Sequence, residues 1–345
     1  MATESAKDAS AAPVHRTDGT VQVPSFELPP SVYMSREAVD MLKRRAGMPT
    51  GDPLAASDDI VALRGEMEKR ISPMVAMMRA KYPVDIVEER IGGVRTRVIT
   101  PEGQAGDPAR VLINLHGGAF MMCAEGCAFL EALPIAVVGG YRIVTVDYRM
   151  APEAVFPAAC EDVAAVYAEL LRTYAPKQIG IYGCSAGGAL TGQVAAWLPA
   201  HGLPQAGAIG IFGAGAGAAF ETGDSAHVAA YIDGSFPAPP KAGEARPARR
   251  IRSYFDGVDT KAPLVSPMLH LDVLAKFPPT LVMTGTRAMD LSPAVFTHSQ
   301  LVKAGVAAEL IVGEGMGHCY MYMSHLPEAQ DAFRTIAGFF KKHLA

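Results

Sequence analysis

Apolar residues recur at Ile60, Leu63, Met67, Ile71, Met74 and Met78, a spacing of three and four that predicts an amphipathic helix over 58–81. Ser72-Pro73 inside it reads as an N-cap followed by proline and predicts a kink or a break into two helices. Ser35 predicts the start of a shorter helix running to Arg45. Two such helices ahead of any strand must lay their apolar faces on something, and they are read as a cap. Apolar runs on either side of Gly92-Gly93 then predict a β-hairpin of strands 84–87 and 94–100. Beyond it, short continuous apolar runs (110–115, 141–146, 178–183, 208–212, 280–285, 308–312) alternate with helical patterns (128–138, 159–174, 293–304, 327–343). The helix 159–174 carries Val163, Val166, Tyr167, Leu170 and Leu171 on one face. Strands apolar on both faces, separated by one-sided helices, predict a mostly parallel, doubly wound α/β sheet. The pattern fails over 213–261, where Gly, Pro and charge accumulate, and this stretch is assigned to a cap insertion. The expected organisation is a mobile tail (1–25), a helical cap segment (26–83) and one α/β domain (84–345), with no internal repeat.

Composition narrows the function classes. Half of the 345 residues are hydrophobic and 19% are charged, enough apolar material for a large core. A formal net charge of −4 argues against nucleic acid or an anionic membrane as the main partner. The basic cluster Arg246, Arg249, Arg250 and Arg252 is taken as a solvated face of the insertion. Met1 to Thr20 lacks the apolar stretch of a signal peptide, and no apolar run is long enough for a membrane span. The five cysteines, Cys123, Cys127, Cys160, Cys184 and Cys319, include no Cys-x-x-Cys pair and complete no metal-ligand spacing. Reduced thiols in a cytoplasmic protein, with no metal site, are therefore expected.

The chemistry concentrates at strand ends. Gly183-Cys-Ser-Ala-Gly187 follows the apolar run 178–183 and opens a helical pattern, so Ser185 is expected at a sharp strand-to-helix turn as a nucleophile. Asn114-Leu-His-Gly-Gly-Ala-Phe120 follows another strand, and the backbone N–H groups of Gly117, Gly118 and Ala186 are candidate oxyanion donors. Gly315-Met-Gly-His318 follows the last strand and makes His318 the candidate base. Met121, Met122, Met316, Met321 and Met323, with Phe120, Tyr320 and Tyr322, flank these stretches and suit either an acyl pocket or core filling.

Together, His116-Gly-Gly-Ala-Phe, Val146-Asp-Tyr-Arg-Met-Ala-Pro-Glu153, Phe156-Pro-Ala, Gly183-Cys-Ser-Ala-Gly-Gly188 and Gly315-Met-Gly-His318 resemble the bacterial hormone-sensitive-lipase-like esterases of the α/β-hydrolase superfamily. The resemblance spans about 84–345. It implies an α/β-hydrolase fold of about eight strands, with a helical cap covering part of the substrate pocket. It also implies cofactor-free hydrolysis of carboxylic esters through an acyl-enzyme on Ser185, with a small-molecule substrate and a possible homodimer. Lactone hydrolysis at the same site is an alternative, as is a ligand-binding pseudo-hydrolase. Three positions depart from the family pattern. Ala119 replaces a third glycine. Cys184 stands where Asp or Thr is usual, which leaves a thiol nucleophile formally open. In Thr284-Gly-Thr-Arg-Ala-Met-Asp290, Ala288 occupies the place of the usual orienting acid. Asp290 comes two residues later, about 7 Å along an extended chain. Asp290 is the candidate acid if the loop rearranges, with Glu314, another carboxylate or an acid-less site as alternatives. Asp147, Arg149 and Glu153 are read as a charged network bracing their loop.

Overall fold

The computed structural model describes residues 12–47, 58–218, 222–232, 239 and 251–345. Strands β1 (Val14–His15) and β2 (Val21–Gln22) pair antiparallel. The Asp18 carboxylate caps the turn between them by accepting from the Thr20 N–H. This part of the expected tail is thus a small ribbon. Helix α1 (Arg36–Arg44) starts at Ser35, whose hydroxyl accepts from the Ala38 N–H. Helix α2 (Ile60–Lys81) is one continuous helix containing Pro73, capped by Asp59, and not the pair of helices that Ser72-Pro73 suggests. Proline removes one helical hydrogen bond. Burial of Leu63, Ile71 and Met78 on one face holds the helix through that loss.

The central sheet contains strands β3 (Val84–Ile91), β4 (Val94–Pro101), β5 (Val111–Leu115), β6 (Arg142–Val146), β7 (Ile179–Cys184), β8 (Ala208–Phe212), β9 (Thr280–Gly285) and β10 (Ala308–Gly313). Among the described residues it has eight strands, in the order β10-β9-β8-β7-β5-β6-β4-β3. The β3–β4 and β4–β6 pairs are antiparallel and the remaining pairs parallel. Strand β3 runs past Val87 to Ile91, because Glu88, Glu89 and Arg90 face solvent at the sheet edge and so break the apolar signal without breaking the ladder.

Successive strand residues alternate between two cores. Ile113, Val144 and Ile181 face one layer, with α4 (Ala158–Leu170), α5 (Ala186–Ala200), α7 (Leu271–Leu274) and α8 (Leu291–Lys303). Leu112, Ile143 and Tyr182 face the other, with α3 (Gly126–Gly139) and α9 (Pro327–His343). Burial on both faces explains why the sequence runs are continuously apolar. The insertion contributes α6 (Asp224–Ile232), where Ser225 exchanges hydrogen bonds with Ser292 at the head of α8. Arg246, Arg249 and Arg250 lie outside the described residues; Arg252 is exposed. The parallel strands β5, β7, β9 and β10 all end on one rim, where such sheets gather functional groups.

Candidate active site

Ser185 sits between β7 and α5 with φ 58° and ψ −120°, a conformation rare for a residue with a side chain. The turn is tight because it presses against the end of β5. A Cβ on Gly187 would come within 1.7 Å of the Leu115 carbonyl oxygen, and only glycine permits that approach. Ser185 Oγ lies 3.0 Å from His318 Nε2, and His318 Nδ1 lies 2.6 Å from Asp290 Oδ1. The Asp290 carboxylate is fully buried, and its second oxygen accepts from the Thr284 hydroxyl at 2.6 Å.

Asp290 reaches His318 because the chain after β9 turns instead of extending. The Ala288 N–H donates back to the Gly285 carbonyl and the Arg287 N–H to Met316. This returns Asp290 to the rim and leaves Ala288 buried beside it. Asp290 occupies the N-cap position of α8, yet its side chain makes no cap bond. Glu314 is exposed.

The oxyanion stretch differs from expectation at one residue. Gly117 is buried and its N–H donates to Glu131 Oε1 at 2.8 Å, so it is not a donor for a ligand. Gly118 is half-buried and Ala119 is exposed, both with positive φ (113° and 55°). The loop thus opens one residue later than the paired glycines suggest. Ala186 is the first residue of α5, where a helix leaves its N–H groups without intrahelical acceptors.

Beneath the loop lies Glu131 of α3, which the apolar helix pattern concealed. Oε1 accepts from the Gly117 N–H and the Tyr322 hydroxyl (2.6 Å), and Oε2 from Asn114 Nδ2 (2.9 Å) and the Cys184 N–H (3.1 Å). Burial pushes its carboxyl up to about 7 against the pull of these four donors. Next to it, His116 stacks on Tyr148 with ring centroids 4.2 Å apart and donates from Nδ1 to the Gly117 carbonyl. Burial drops its pKa to about 4, so the imidazole is neutral and structural.

Four cysteines expected as thiols form disulfides, Cys123–Cys127 and Cys184–Cys319, while Cys160 is free and buried. Cys184 and Cys319 are 135 residues apart and meet only because β7 and the loop after β10 share a rim, a proximity that spacing cannot reveal. The bond removes Cys184 as a nucleophile, and a cytoplasmic location loses the support that free thiols lent it. Asp147, Arg149 and Glu153 are likewise not one network. Asp147 pairs with Arg97 and Arg95, Arg149 with Asp162 and Glu161, and Glu153 with Arg64 of α2. Most of the methionines and aromatics flanking the site are core: Phe120, Met121, Met122, Met316, Tyr320 and Met321 are buried, while Tyr322 and Met323 are partly exposed. Among the described residues no group of His, Cys, Asp and Glu could hold a metal, and no helix is long and apolar enough to cross a membrane.

Fold and rim geometry define an α/β hydrolase, and the comparisons agree. Residues 112–322 match a family model described as the alpha/beta hydrolase fold, more than half of the chain. The carboxylesterase/phospholipase LipF of Mycobacterium tuberculosis is 30% identical over 249 residues, 71% of this chain and 65% of LipF. The chain thus spans just under two thirds of that relative. The crystal structure of esterase E25 matches with a TM-score of 0.78 at 29% identity, covering 94% of this chain and 99% of E25. An esterase from the bacterial hormone-sensitive lipase family matches at 0.72 and 27% identity, covering 90% and 97%. The chain belongs to the α/β-hydrolase fold family, in its bacterial hormone-sensitive-lipase-like branch.

Proposed function

We propose that this chain is a serine carboxylesterase acting on esters of small to medium apolar acids. The observation that carries this is the continuous relay Ser185 Oγ, His318 Nε2, His318 Nδ1, Asp290 Oδ1, at 3.0 and 2.6 Å. With the proton of the imidazole on Nδ1 and donated to Asp290, Nε2 is left as an acceptor aimed at the serine hydroxyl. His318 takes the Ser185 proton as Oγ attacks the ester carbonyl. The negative charge that develops on the carbonyl oxygen is met by the N–H groups of Gly118, Ala119 and Ala186. His318 then returns the proton to the departing alcohol. A water deprotonated by the same nitrogen attacks the acyl-serine and releases the acid. The buried Asp290 carboxylate holds the imidazole in orientation and stabilises its transient positive charge. An apolar acyl group is favoured by the partly exposed Phe255, which meets the buried Phe120 edge-on (5.2 Å) behind the oxyanion loop. LipF and E25 are named as a carboxylesterase and an esterase, which is the same chemistry.

The test is p-nitrophenyl butyrate hydrolysis by wild type and Ser185→Ala, combined with fluorophosphonate labelling mapped by mass spectrometry. Turnover and labelling should both vanish in the variant. Equal turnover by the two proteins, or a label elsewhere, would refute the assignment.

A further inference from the structure

We propose that Glu131 is a positioning residue for catalysis, joining the oxyanion loop, the nucleophile turn and the histidine loop through one carboxylate. Its donors come from four places along the chain. The Gly117 N–H belongs to the loop after β5 and the Cys184 N–H directly precedes Ser185. The Tyr322 hydroxyl lies four residues beyond His318, and Asn114 lies in β5. A carboxylate is acceptor-only and has room for four donors, and here it receives four. No neutral side chain of the same shape matches this. If Glu131 is replaced by glutamine, one end of the amide must present an NH2 group to either the Gly117 or the Cys184 backbone N–H. Tyr322 and Asn114 can adapt by rotating a hydroxyl or flipping an amide, but a peptide N–H can only move away.

That movement has a defined consequence. The bound N–H groups belong to the His116–Gly117 and Gly183–Cys184 peptides, one residue ahead of the Gly118 N–H and of Ser185, so a shift of either is passed through a single Cα to an oxyanion donor or to the nucleophile. Glu131 itself touches no substrate. It is sealed beneath the loop, 3% exposed. Its titratable neighbours are Tyr322, Tyr148 and Tyr182, whose pKa values burial raises, and His116, which burial keeps neutral. Protonation of Glu131 places one hydrogen on one of its oxygens, which fills one of the four acceptor positions and weakens the hydrogen bond from the backbone N–H at that oxygen.

Both effects presuppose Ser185 as the nucleophile, so Ser185→Ala is assayed alongside; turnover surviving in that variant would overturn the catalytic assignment itself, whatever Glu131 does. With Ser185→Ala inactive, Glu131→Gln should lower kcat by roughly 10- to 100-fold, with KM changed by less than about 3-fold. Tyr322→Phe keeps the ring and deletes one donor, and it decides the matter if Glu131→Gln does not fold. It should lower kcat by about 3- to 10-fold. It should also move the acid limb of the kcat–pH profile upward, because the lost hydrogen bond favoured the ionised carboxylate. A structural role alone would lower the melting temperature and leave kcat and the acid limb in place. Folded Glu131→Gln with wild-type kcat, or Tyr322→Phe with a superimposable pH profile, would overturn the proposal.

Discussion

Asp290 is buried, next to a helix that its side chain does not cap, and bonded to His318 and Thr284. Replacing it by Asn keeps the shape but puts an NH2 group where Nδ1–H donates, which favours the wrong imidazole tautomer. Asp290→Asn should therefore lower kcat by at least about 10², with an unchanged circular dichroism spectrum. Two further residues set an opposed pair of acid responses. Glu131 has its pKa raised from 4.5 to about 7, so the folded state binds its proton before the unfolded state does. Stability from this group grows as pH falls from 7 to 4.5. His116 has its pKa lowered from 6.5 to about 4, so the unfolded state protonates first and stability is lost across that window. The two slopes nearly cancel in the wild type. Glu131→Gln removes one of them, and urea titrations between pH 7 and 5 should show that variant losing stability to acid more steeply than wild type. Parallel curves would contradict the assigned shifts. Ser185 and His318 could be picked out in the sequence because each follows a strand directly and sits among glycines. Asp290 could be named as a candidate, but its position depends on the Gly285–Ala288 turn, a tertiary outcome held in part by Met316. Glu131 left no trace, since one acid in the apolar helix 126–139 reads as a solvent-facing position.

At the scale of elements, Arg64 fastens α2 to the rim that carries Ser185 and His318. Arg64 donates from Nε to the Met121 carbonyl (2.7 Å), from Nη2 to the Ala151 carbonyl (2.9 Å), and through Nη1 and Nη2 to the Glu153 carboxylate (2.7 and 2.8 Å). Lysine has a single point of attachment and cannot make this fork. Arg64→Lys should lower stability by about 1–3 kcal/mol, read from denaturant midpoints. It should raise KM for longer acyl esters more than for acetates if α2 borders the acyl pocket, because α2 is then no longer held to the loop carrying Ala119. A uniform change across chain lengths would count against α2 as part of the pocket. The helix itself was legible from its period, and so was the hairpin from Gly92-Gly93. Its continuity through Pro73 was not, because the proline signal is local and the burial that overrides it comes from contacts across the chain. The edge strand β3 was cut short for the opposite reason: its exposed half obeys the ladder and not the hydrophobic pattern.

Across the whole molecule, the alternation of apolar runs and one-sided helices implies a mostly parallel sheet whose strands end on a common rim, so the rim on which Ser185 and His318 meet could be foreseen. Which cysteines meet there could not. The Cys184–Cys319 disulfide closes a loop with a sequence separation of 135, and chain entropy assigns a loop of that size about 5 kcal/mol. Incubation with a dithiol should lower the melting temperature markedly, while Cys319→Ser should already melt low and lose much less on the same treatment, which then acts only on Cys123–Cys127. Seen as a graph, the bond makes the chain a ring with two tails, and Ser185 and His318 sit on either side of its closure. Any single cut of the backbone between Cys184 and Cys319 opens the ring without dividing the molecule. When the cut falls between Ser185 and His318, these two residues, one on each fragment, remain in one covalent species until a reductant separates them.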